Sequence, residues 1–270
     1  MEYKSYEGDS LELNPKSPFF LDHVSRYWWA SNRLKGKKVL DCASGKGYGS
    51  YILSKNASSV LGVDLNENSL ELARAVFGHS ENLDFKKFNV MKLAEMDIKF
   101  DAITAFEVIE HLDPQETDEF LQSLGSALSE SGELILSTPN HDVVLKSRSD
   151  IPSFHINNFR ASELKKALEK HFDEVVMIGQ YRRRGWLYNS IFGLDFFNLR
   201  HSLKNFFKAP SQTVEVSDDE NMDRDEYMAN NPLDKTHFER PPQEFHEYSF
   251  SSSHWRQAGL TVCLCRRPKK

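Results

Sequence analysis

Short apolar runs alternate with amphipathic stretches along most of the chain. An apolar run bounded by turn residues predicts a buried strand, and apolar residues three or four positions apart predict a helix. The predicted strands cover residues 37–43, 59–64, 83–89, 100–107, 133–140, 173–179 and 260–266. Predicted helices cover residues 22–34, 67–77, about 113–128 and 162–170, and one more follows the glycine-rich turn at 45–49. This alternation predicts an α/β fold, namely a Rossmann-like, seven-stranded, mostly parallel sheet with helices on both faces and a long insertion before the last strand.

The same pattern divides the chain into four segments. Residues 1–21 are predicted to be irregular, residues 22–180 form the core, and residues 260–270 supply the last core strand and a basic tail. Residues 181–259 are predicted to form a helical lid or insertion that includes an acidic, mobile segment. Within it, residues 186–208 place aromatic and aliphatic side chains at helical spacing with basic residues between them, which favours a helix that packs on the core. A dimer contact and a peripheral membrane contact are the alternatives.

Composition narrows the classes of partner. The net charge of -6 argues against general nucleic-acid binding, which needs a basic face. The three cysteines have no spacing typical of a disulfide framework or a metal site. The first ten residues are polar, and no apolar run approaches the roughly 20 residues that span a bilayer. We expect a cytoplasmic protein; the oligomeric state stays open, a homodimer included.

The most informative stretch is VLDCASGKGYGS, residues 39–50. It reads as a strand, a glycine-rich turn and the start of a helix, and the next strand ends in Asp64. Gly45 and Gly47 allow the main chain to approach a ligand closely, and the amides at the helix start face the charged part of that ligand. A carboxylate about twenty residues after such a turn accepts hydrogen bonds from ribose hydroxyls. The pattern predicts a cofactor that contains a nucleoside.

Two details favour S-adenosylmethionine over NAD. A dinucleotide turn reads G-x-G-x-x-G, whereas Gly45, Gly47 and Gly49 are evenly spaced. The first strand also carries an acid, Asp41, which suits a ligand ammonium group better than a pyrophosphate. The alternatives are an NAD-linked oxidoreductase and a glycine turn that only packs a strand on a helix.

Several motifs support a family resemblance when they are taken in chain order. They are HVSRYWWA, VLDCASGKGYGS, VLGVDLN, FDAITAFEVIEHL, ELILSTPN, FHINNF and VVMIGQ. Over residues 22–180 and the last strand, the chain resembles class I S-adenosylmethionine-dependent methyltransferases. Within that family it is similar to bacterial methyltransferases associated with sugars and surface polysaccharides. Two positions depart from the family pattern: Lys46, where relatives often carry an acid, and Asn89, where an aspartate is common.

The resemblance implies O-methylation of a sugar, a sugar nucleotide or a glycan end. Methylation of another small molecule (an amine, a quinone precursor or a natural product) and a non-catalytic cofactor-binding module remain open. By position, the resemblance implies that the methionine part lies against the turn, the ribose on Asp64, and the adenine against Leu65, Asn89 and Val90. Arg26 is expected to bind the cofactor carboxylate, with a surface salt bridge as the alternative. The full set of implied cofactor-binding positions is Arg26, Tyr27, Asp41, Ala43, Ser44, Gly45, Gly47, Asp64, Leu65, Asn89, Val90 and Phe106.

Transfer of a methyl group to a sugar hydroxyl is helped by a general base within hydrogen-bond reach. Three histidines are candidates, and we rank His155, in the loop PSFHINNF, before His111 and His141. The alternative for His111 is a residue that only fixes the loop after the fourth strand. Glu107 and Glu110 are expected to accept structural hydrogen bonds, although Glu107 is also a candidate to orient a substrate hydroxyl. No metal ion is expected, because no pair of acids follows a strand end.

Overall fold

The computed structural model describes residues 18–143, 154–182, 235–253 and 255–269. Its main helices are α1 Pro18–Arg33, α2 Tyr48–Ser54, α3 Glu67–Phe77, α4 Thr117–Ala127 and α5 Ala161–His171. Its strands are β1 Lys38–Cys42, β2 Ser59–Asp64, β3 Leu83–Lys87, β4 Phe100–Phe106, β5 Leu128–Pro139, β6 Phe172–Arg182, β7 Tyr248–Ser251 and β8 Leu260–Pro268. Short 3-10 turns connect several of these elements.

The strands of the described part form a single sheet in the order β3-β2-β1-β4-β5-β8-β6-β7. The pairs β1–β2, β1–β4, β2–β3 and β4–β5 are parallel. Strand β8 runs antiparallel to both of its neighbours, β5 and β6. The Rossmann-like, mostly parallel sheet is therefore confirmed, but the count of seven strands is wrong, because the described residues form eight. The additional edge strand β7 was missed since it is only four residues long, partly exposed and not a continuous apolar run.

The central strands are buried on both faces, as parallel strands covered by helices must be. In β1, the four residues that follow Lys38 are buried. In β4, every residue except Asp101 is buried. Helix α4 adds Phe120, Leu121 and Leu124 to the same core cluster. This packing keeps the ends of the central strands in register, so that the residues which follow them are held in place.

The chain reverses strand order at β1, which lies between β2 and β4. Ligands of such sheets bind beyond the carboxyl ends of the strands at this switch point. Two non-glycine residues adopt left-handed backbone conformations here: Ala43, after β1, has φ 55° and Glu107, after β4, has φ 56°. Non-glycine residues rarely adopt this conformation, and where it occurs it often marks a functional site. The backbone thus points to one edge of the sheet, independently of any motif.

The segment boundaries differ from those in the sequence prediction. Helix α1 begins at Pro18, inside the segment predicted to be irregular. Residues from 235 onward, placed in the insertion by the sequence pattern, belong to the same compact unit as the core. Within them, the buried ring of Phe238 lies 5.3 Å from that of Tyr48. The helix predicted at 186–208 lies outside the described residues. No helix in the described ranges is long and apolar enough to cross a membrane.

Candidate active site

The glycine turn between β1 and α2 presents open main chain. Gly45 has φ 51°, and a Cβ atom built on it meets nothing within 4 Å. Gly47 has φ 81°, and its Cβ atom would lie 2.6 Å from the Cβ atom of Ala73, so Gly47 is required by packing. The hydroxyl of Ser44 is buried and has no hydrogen-bond partner among the described residues. A turn with free space beside Gly45 and an unpaired buried hydroxyl fits a ligand that lies against the backbone.

Asp64 is oriented toward this turn by two main-chain amides. Its Oδ2 accepts a hydrogen bond from the amide of Gly45 at 2.8 Å, and its Oδ1 accepts one from the amide of Asn66 at 2.9 Å. A carboxylate oxygen can accept more than one hydrogen bond, so both oxygens can still receive a ribose hydroxyl. Asn66 in turn caps α3 by accepting from the amide of Ser69. The end of β2 thus fixes the carboxylate in a direction suitable for a diol.

Asp41 occupies a different environment from the one expected. It is fully buried, and its carboxylate accepts hydrogen bonds from Thr104 Oγ1 and Ser50 Oγ, both at 2.7 Å, and from the hydroxyl of Tyr27 at 3.3 Å. Burial raises the pKa of Asp41 to about 6, although the hydroxyls act in the opposite direction. These protein hydroxyls therefore hold both oxygens of Asp41. Direct contact with a ligand ammonium group stays a prediction.

Arg26 is part of a buried ion pair. Only 2% of its surface is exposed, and its Nη1 lies 3.0 Å from Glu107 Oε1 and 2.8 Å from Ser137 Oγ. Its Nε donates to Gln180 Oε1 at 3.0 Å, and its guanidinium carbon lies 5.4 Å from the ring centre of Phe106. The alternative of a surface salt bridge is therefore wrong. Its contact with a cofactor carboxylate stays a prediction, since Nε and Nη1 bind protein groups here.

Glu107 is held as the anionic partner of Arg26. Its Oε1 accepts from both Arg26 and the Ser137 hydroxyl, and its amide donates to the carbonyl of Ser137 at 3.0 Å. The oxygen that would have to orient or activate a substrate hydroxyl is thus already held by two protein donors. This arrangement favours a structural role for Glu107 over that of a base.

The residues expected around an adenine lie at the ends of β2 and β3. The amide of Phe88 donates to the carbonyl of Asp64 at 3.0 Å, which joins the two strand ends. Asn89 uses its Oδ1 to accept from the amide of Met91 at 2.9 Å and so caps the following 3-10 helix. Its side-chain amide nitrogen is therefore the group expected to contact the edge of an adenine base. Leu65 and Val90 are half-buried beside these positions.

Aromatic rings from α1 and β4 pack beside the start of α2. Tyr27 and Phe106 pack edge to face with ring centres 4.8 Å apart, and both are almost fully buried. Burial, together with the nearby charge of Asp41, raises the pKa of Tyr27 well above its usual value, so its hydroxyl stays neutral. Tyr27 also fills the space above Gly49, where an added Cβ atom would lie 2.2 Å from its ring. Both aromatic residues predicted for the cofactor site thus lie on one wall near β1 and β4.

A second group of polar side chains follows β4. Glu110, His111 and His155 each offer an oxygen or a nitrogen atom, and these atoms lie within 4.8 Å of one another. The rings of His111 and His155 have centres 4.9 Å apart, and His111 Nδ1 lies 3.4 Å from the carbonyl oxygen of Phe154. Two of the three histidines proposed as bases are therefore neighbours. His141 is not part of this group; its amide donates to the carbonyl of Phe159.

Glu110 is the residue whose importance sequence reasoning missed. Its Oε2 accepts from the hydroxyl of Thr138 at 3.0 Å, whereas its buried Oε1 has no partner among the described residues. Burial, and secondarily the charge of Glu107, raises the pKa of Glu110 well above its usual value. The tandem Glu110-His111 was visible after the fourth strand, but nothing in the sequence placed His155 beside it.

Comparisons with known proteins agree with this geometry. A family model described as a methyltransferase domain matches residues 18–171, more than half of the chain. A probable S-adenosylmethionine-dependent methyltransferase of Mycolicibacterium smegmatis is 30% identical over 58% of this chain and 60% of its own length. A ubiquinone biosynthesis O-methyltransferase of Idiomarina loihiensis is 30% identical over 51% of this chain and 55% of its own. The matched region thus spans less than two thirds of each of these relatives.

A solved structure shares the fold. The N-methyltransferase NodS of Bradyrhizobium japonicum WM9, crystallised with S-adenosylhomocysteine, aligns with a TM-score of 0.54 at 13% identity, over 67% of this chain and 87% of that one. The open backbone at Gly45, the unpaired hydroxyl of Ser44 and the oriented carboxylate of Asp64 fit the same cofactor. On the family match and the fold together, the chain belongs to the class I S-adenosylmethionine-dependent methyltransferases.

Proposed function

We propose that the protein is an O-methyltransferase that methylates a hydroxyl group of a small acceptor, which is a sugar, a sugar nucleotide or a glycan end. The observation that carries this proposal is the polar group of Glu110 and His111, which follow β4, and His155, which precedes α5. Strand β4 lies beside β1, whose carboxyl end leads into the cofactor turn. Groups able to take up a proton therefore stand near the edge where the cofactor fits. A carboxylate acceptor, which is already ionised at neutral pH, has no need of them.

The residues of the cofactor edge have separate tasks. S-adenosylmethionine, when bound, supplies a methyl group on a positively charged sulfur. The main chain of Ala43, Ser44 and Gly45 lies against its amino-acid part, and Asp64 accepts the ribose hydroxyls. Leu65, Val90 and the amide nitrogen of Asn89 hold the base. Much of the rate then comes from fixing the reacting atoms in line.

The acceptor hydroxyl needs help because a sugar alcohol is a weak nucleophile at neutral pH. In the metal-free protein, a neutral His155 takes the hydroxyl proton as the new bond forms. Glu107 does not serve here, because it neutralises Arg26. Removing the His155 imidazole should lower turnover while cofactor affinity is kept.

A second candidate acceptor is a phenolic hydroxyl, as in a quinone precursor. The similarity to the ubiquinone biosynthesis O-methyltransferase favours it. A phenol has a pKa near 10, as in tyrosine, so it depends less on a base than a sugar hydroxyl does. A phenolic acceptor should therefore tolerate His155→Ala better than a sugar acceptor.

An acceptor panel tests this proposal. Formation of S-adenosylhomocysteine is measured with nucleotide sugars, simple glycosides, catechols and primary amines as acceptors. We expect turnover with hydroxyl acceptors, a nucleotide sugar giving the highest rate. Turnover with amines alone would contradict O-methylation. Calorimetry that detects no S-adenosylhomocysteine binding in the micromolar range, about -8 kcal/mol, would instead support the inert module.

A further inference from the structure

We propose that Glu110, His111 and His155 bind a divalent transition-metal cation of the Mn²⁺ or Zn²⁺ kind. Their ligand atoms all lie within 4.8 Å of one another. In a tetrahedral site with bonds of about 2.1 Å, ligand atoms lie about 3.4 Å apart. The ligand atoms therefore need to approach one another by at most about 1.4 Å, a shift that rotamer adjustment supplies.

The burial and hydrogen bonding of the Glu110 carboxylate independently point to a cation. The residue is 1% exposed, and its Oε1 makes no hydrogen bond with any described residue. A buried carboxylate oxygen without a donor is costly, and a metal ion is one of the few partners that satisfy it. Oε2 is already held by the hydroxyl of Thr138, which leaves Oε1 as the free ligand atom.

The loop that carries His155 is fastened to the segment that carries Glu110. The amide of Asn157 donates to the carbonyl of Glu110 at 3.0 Å. Its side-chain nitrogen donates to Thr117 Oγ1 at 2.9 Å and to the carbonyl of Ile109 at 3.3 Å. These bonds hold the two halves of the ligand set in place before any ion arrives, as metal sites require.

The donor set favours a transition metal. Imidazole nitrogens suit Mn²⁺, Zn²⁺ and related ions, whereas Mg²⁺ and Ca²⁺ prefer oxygen ligands alone. Two imidazoles and one carboxylate leave at least one coordination position open. The carbonyl of Phe154 lies 3.4 Å from His111 Nδ1, so a hydrogen bond from that nitrogen would orient the ring with Nε2 as its ligand atom.

The catalytic use of the ion rests on the proposed function, whereas its binding does not. An acceptor hydroxyl in the open position loses its proton to water more readily, because the cation lowers its pKa. The oxygen lone pair then forms the carbon–oxygen bond as the carbon–sulfur bond breaks and its electron pair returns to sulfur. In this state the cation activates the acceptor, and His155 serves as a ligand instead of a base.

Calorimetry on chelator-treated full-length protein tests the site, with MnCl₂ and ZnCl₂ as probes. We expect one equivalent of at least one of these ions to bind the unmodified protein. His155→Ala and the nearly isosteric Glu110→Gln should each weaken that binding at least about tenfold. His79→Ala removes an exposed histidine before β3, at the opposite edge of the sheet, and should bind the ion normally. Titration with S-adenosylhomocysteine checks that every variant is folded.

Two results would overturn the metal site: no stoichiometric binding of either ion, or equal affinity in His155→Ala and the unmodified protein. Stoichiometric metal binding without methylation of any hydroxyl acceptor would contradict the proposed function and leave the site intact. If methylation of a hydroxyl acceptor persists in the presence of a chelator, the proposed function is supported and the catalytic use of the ion is contradicted.

Discussion

Two parts of the carboxyl edge of the sheet are built from contacts of different range. They are the cofactor half, residues 39–66, and the proposed acceptor half, which contains Glu110, His111 and His155. In the cofactor half, residues 39–66 form strand, turn, helix and strand in sequence, and the bond from Gly45 to Asp64 joins residues 19 apart. In the acceptor half, His111 lies against the carbonyl of Phe154, 43 residues away, and Asn157 bonds to Thr117, 40 residues away. One half is a continuous segment, and the other is an assembly of loops.

Contacts of different range tolerate substitution differently. A continuous segment with fixed spacing can keep one cofactor while other parts of the chain change. Loops brought together by long-range contacts tolerate substitution, which suits a site that must fit a particular acceptor. Arg26, on α1, ties together residues that are far apart in the chain, because it bonds to Glu107 after β4 and to Gln180 on β6.

The largest expected effect comes from removing this joining residue. Arg26→Met leaves Glu107 without its cation and strips a donor from Ser137 and from Gln180. Breaking a buried ion pair from one side costs about 3 kcal/mol or more. Urea unfolding should therefore show a free energy of unfolding lower by about 3 kcal/mol.

The matched control is the double variant Arg26→Met, Glu107→Gln. It removes the stranded charge, so it should be more stable than Arg26→Met alone. A loss below about 1 kcal/mol in the single variant would mean that the fold does not depend on this ion pair.

Gly45→Val should remove cofactor binding with a smaller effect on folding. Its side chain enters the open space beside the turn, so affinity for S-adenosylhomocysteine in calorimetry should fall at least about 100-fold, which is about 2.7 kcal/mol. Gly36→Val is the matched control: φ is 72° there, and its Cβ direction is also open. Both variants pay the same backbone strain of about 1–2 kcal/mol. Equal cofactor affinity in the two would show that the turn does not face the ligand.

Much of the cofactor half was predictable from sequence. The spacing of Gly45, Gly47 and Asp64 lies within one strand–turn–helix–strand unit, so the motif implied the geometry. The helix at Glu67–Phe77 was predicted with the bounds that the structure shows. The parallel order of the central strands followed from their alternation with helices.

The acceptor half was predictable only as a set of candidates. His111 and His155 were named, but their contact depends on the Asn157 bonds between loops, which no local pattern encodes. The burial of Arg26 was missed for the same reason, since its partners lie 81, 111 and 154 residues away. Strand β7 was missed because a four-residue edge strand needs no continuous apolar run.

Asp64→Ala tests the cofactor half without disturbing the proposed acceptor half. The variant removes the carboxylate that is expected to accept the ribose hydroxyls, and it leaves the amide of Gly45 without its partner. Affinity for S-adenosylhomocysteine should fall by about 1–3 kcal/mol in calorimetry. Binding of Mn²⁺ or Zn²⁺ at the acceptor half should be unchanged in the same variant. Unchanged cofactor affinity would place the ribose elsewhere.

The smallest expected effect is a pH dependence of the free energy of unfolding that is caused by Asp41. Burial raises its pKa to about 6 in the folded state, against about 3.9 for an unfolded aspartate. Between pH 7 and pH 5 the folded protein therefore takes up a proton that the unfolded chain largely does not. Through this group, the free energy of unfolding at pH 5 is about 1 kcal/mol higher than at pH 7. Asp41→Asn cannot make this gain, so its loss of stability relative to the unmodified protein should be larger at pH 5 than at pH 7. Urea unfolding of both proteins at the two pH values measures the difference, and an identical pH dependence would mean that the Asp41 carboxylate stays ionised beside the cofactor turn.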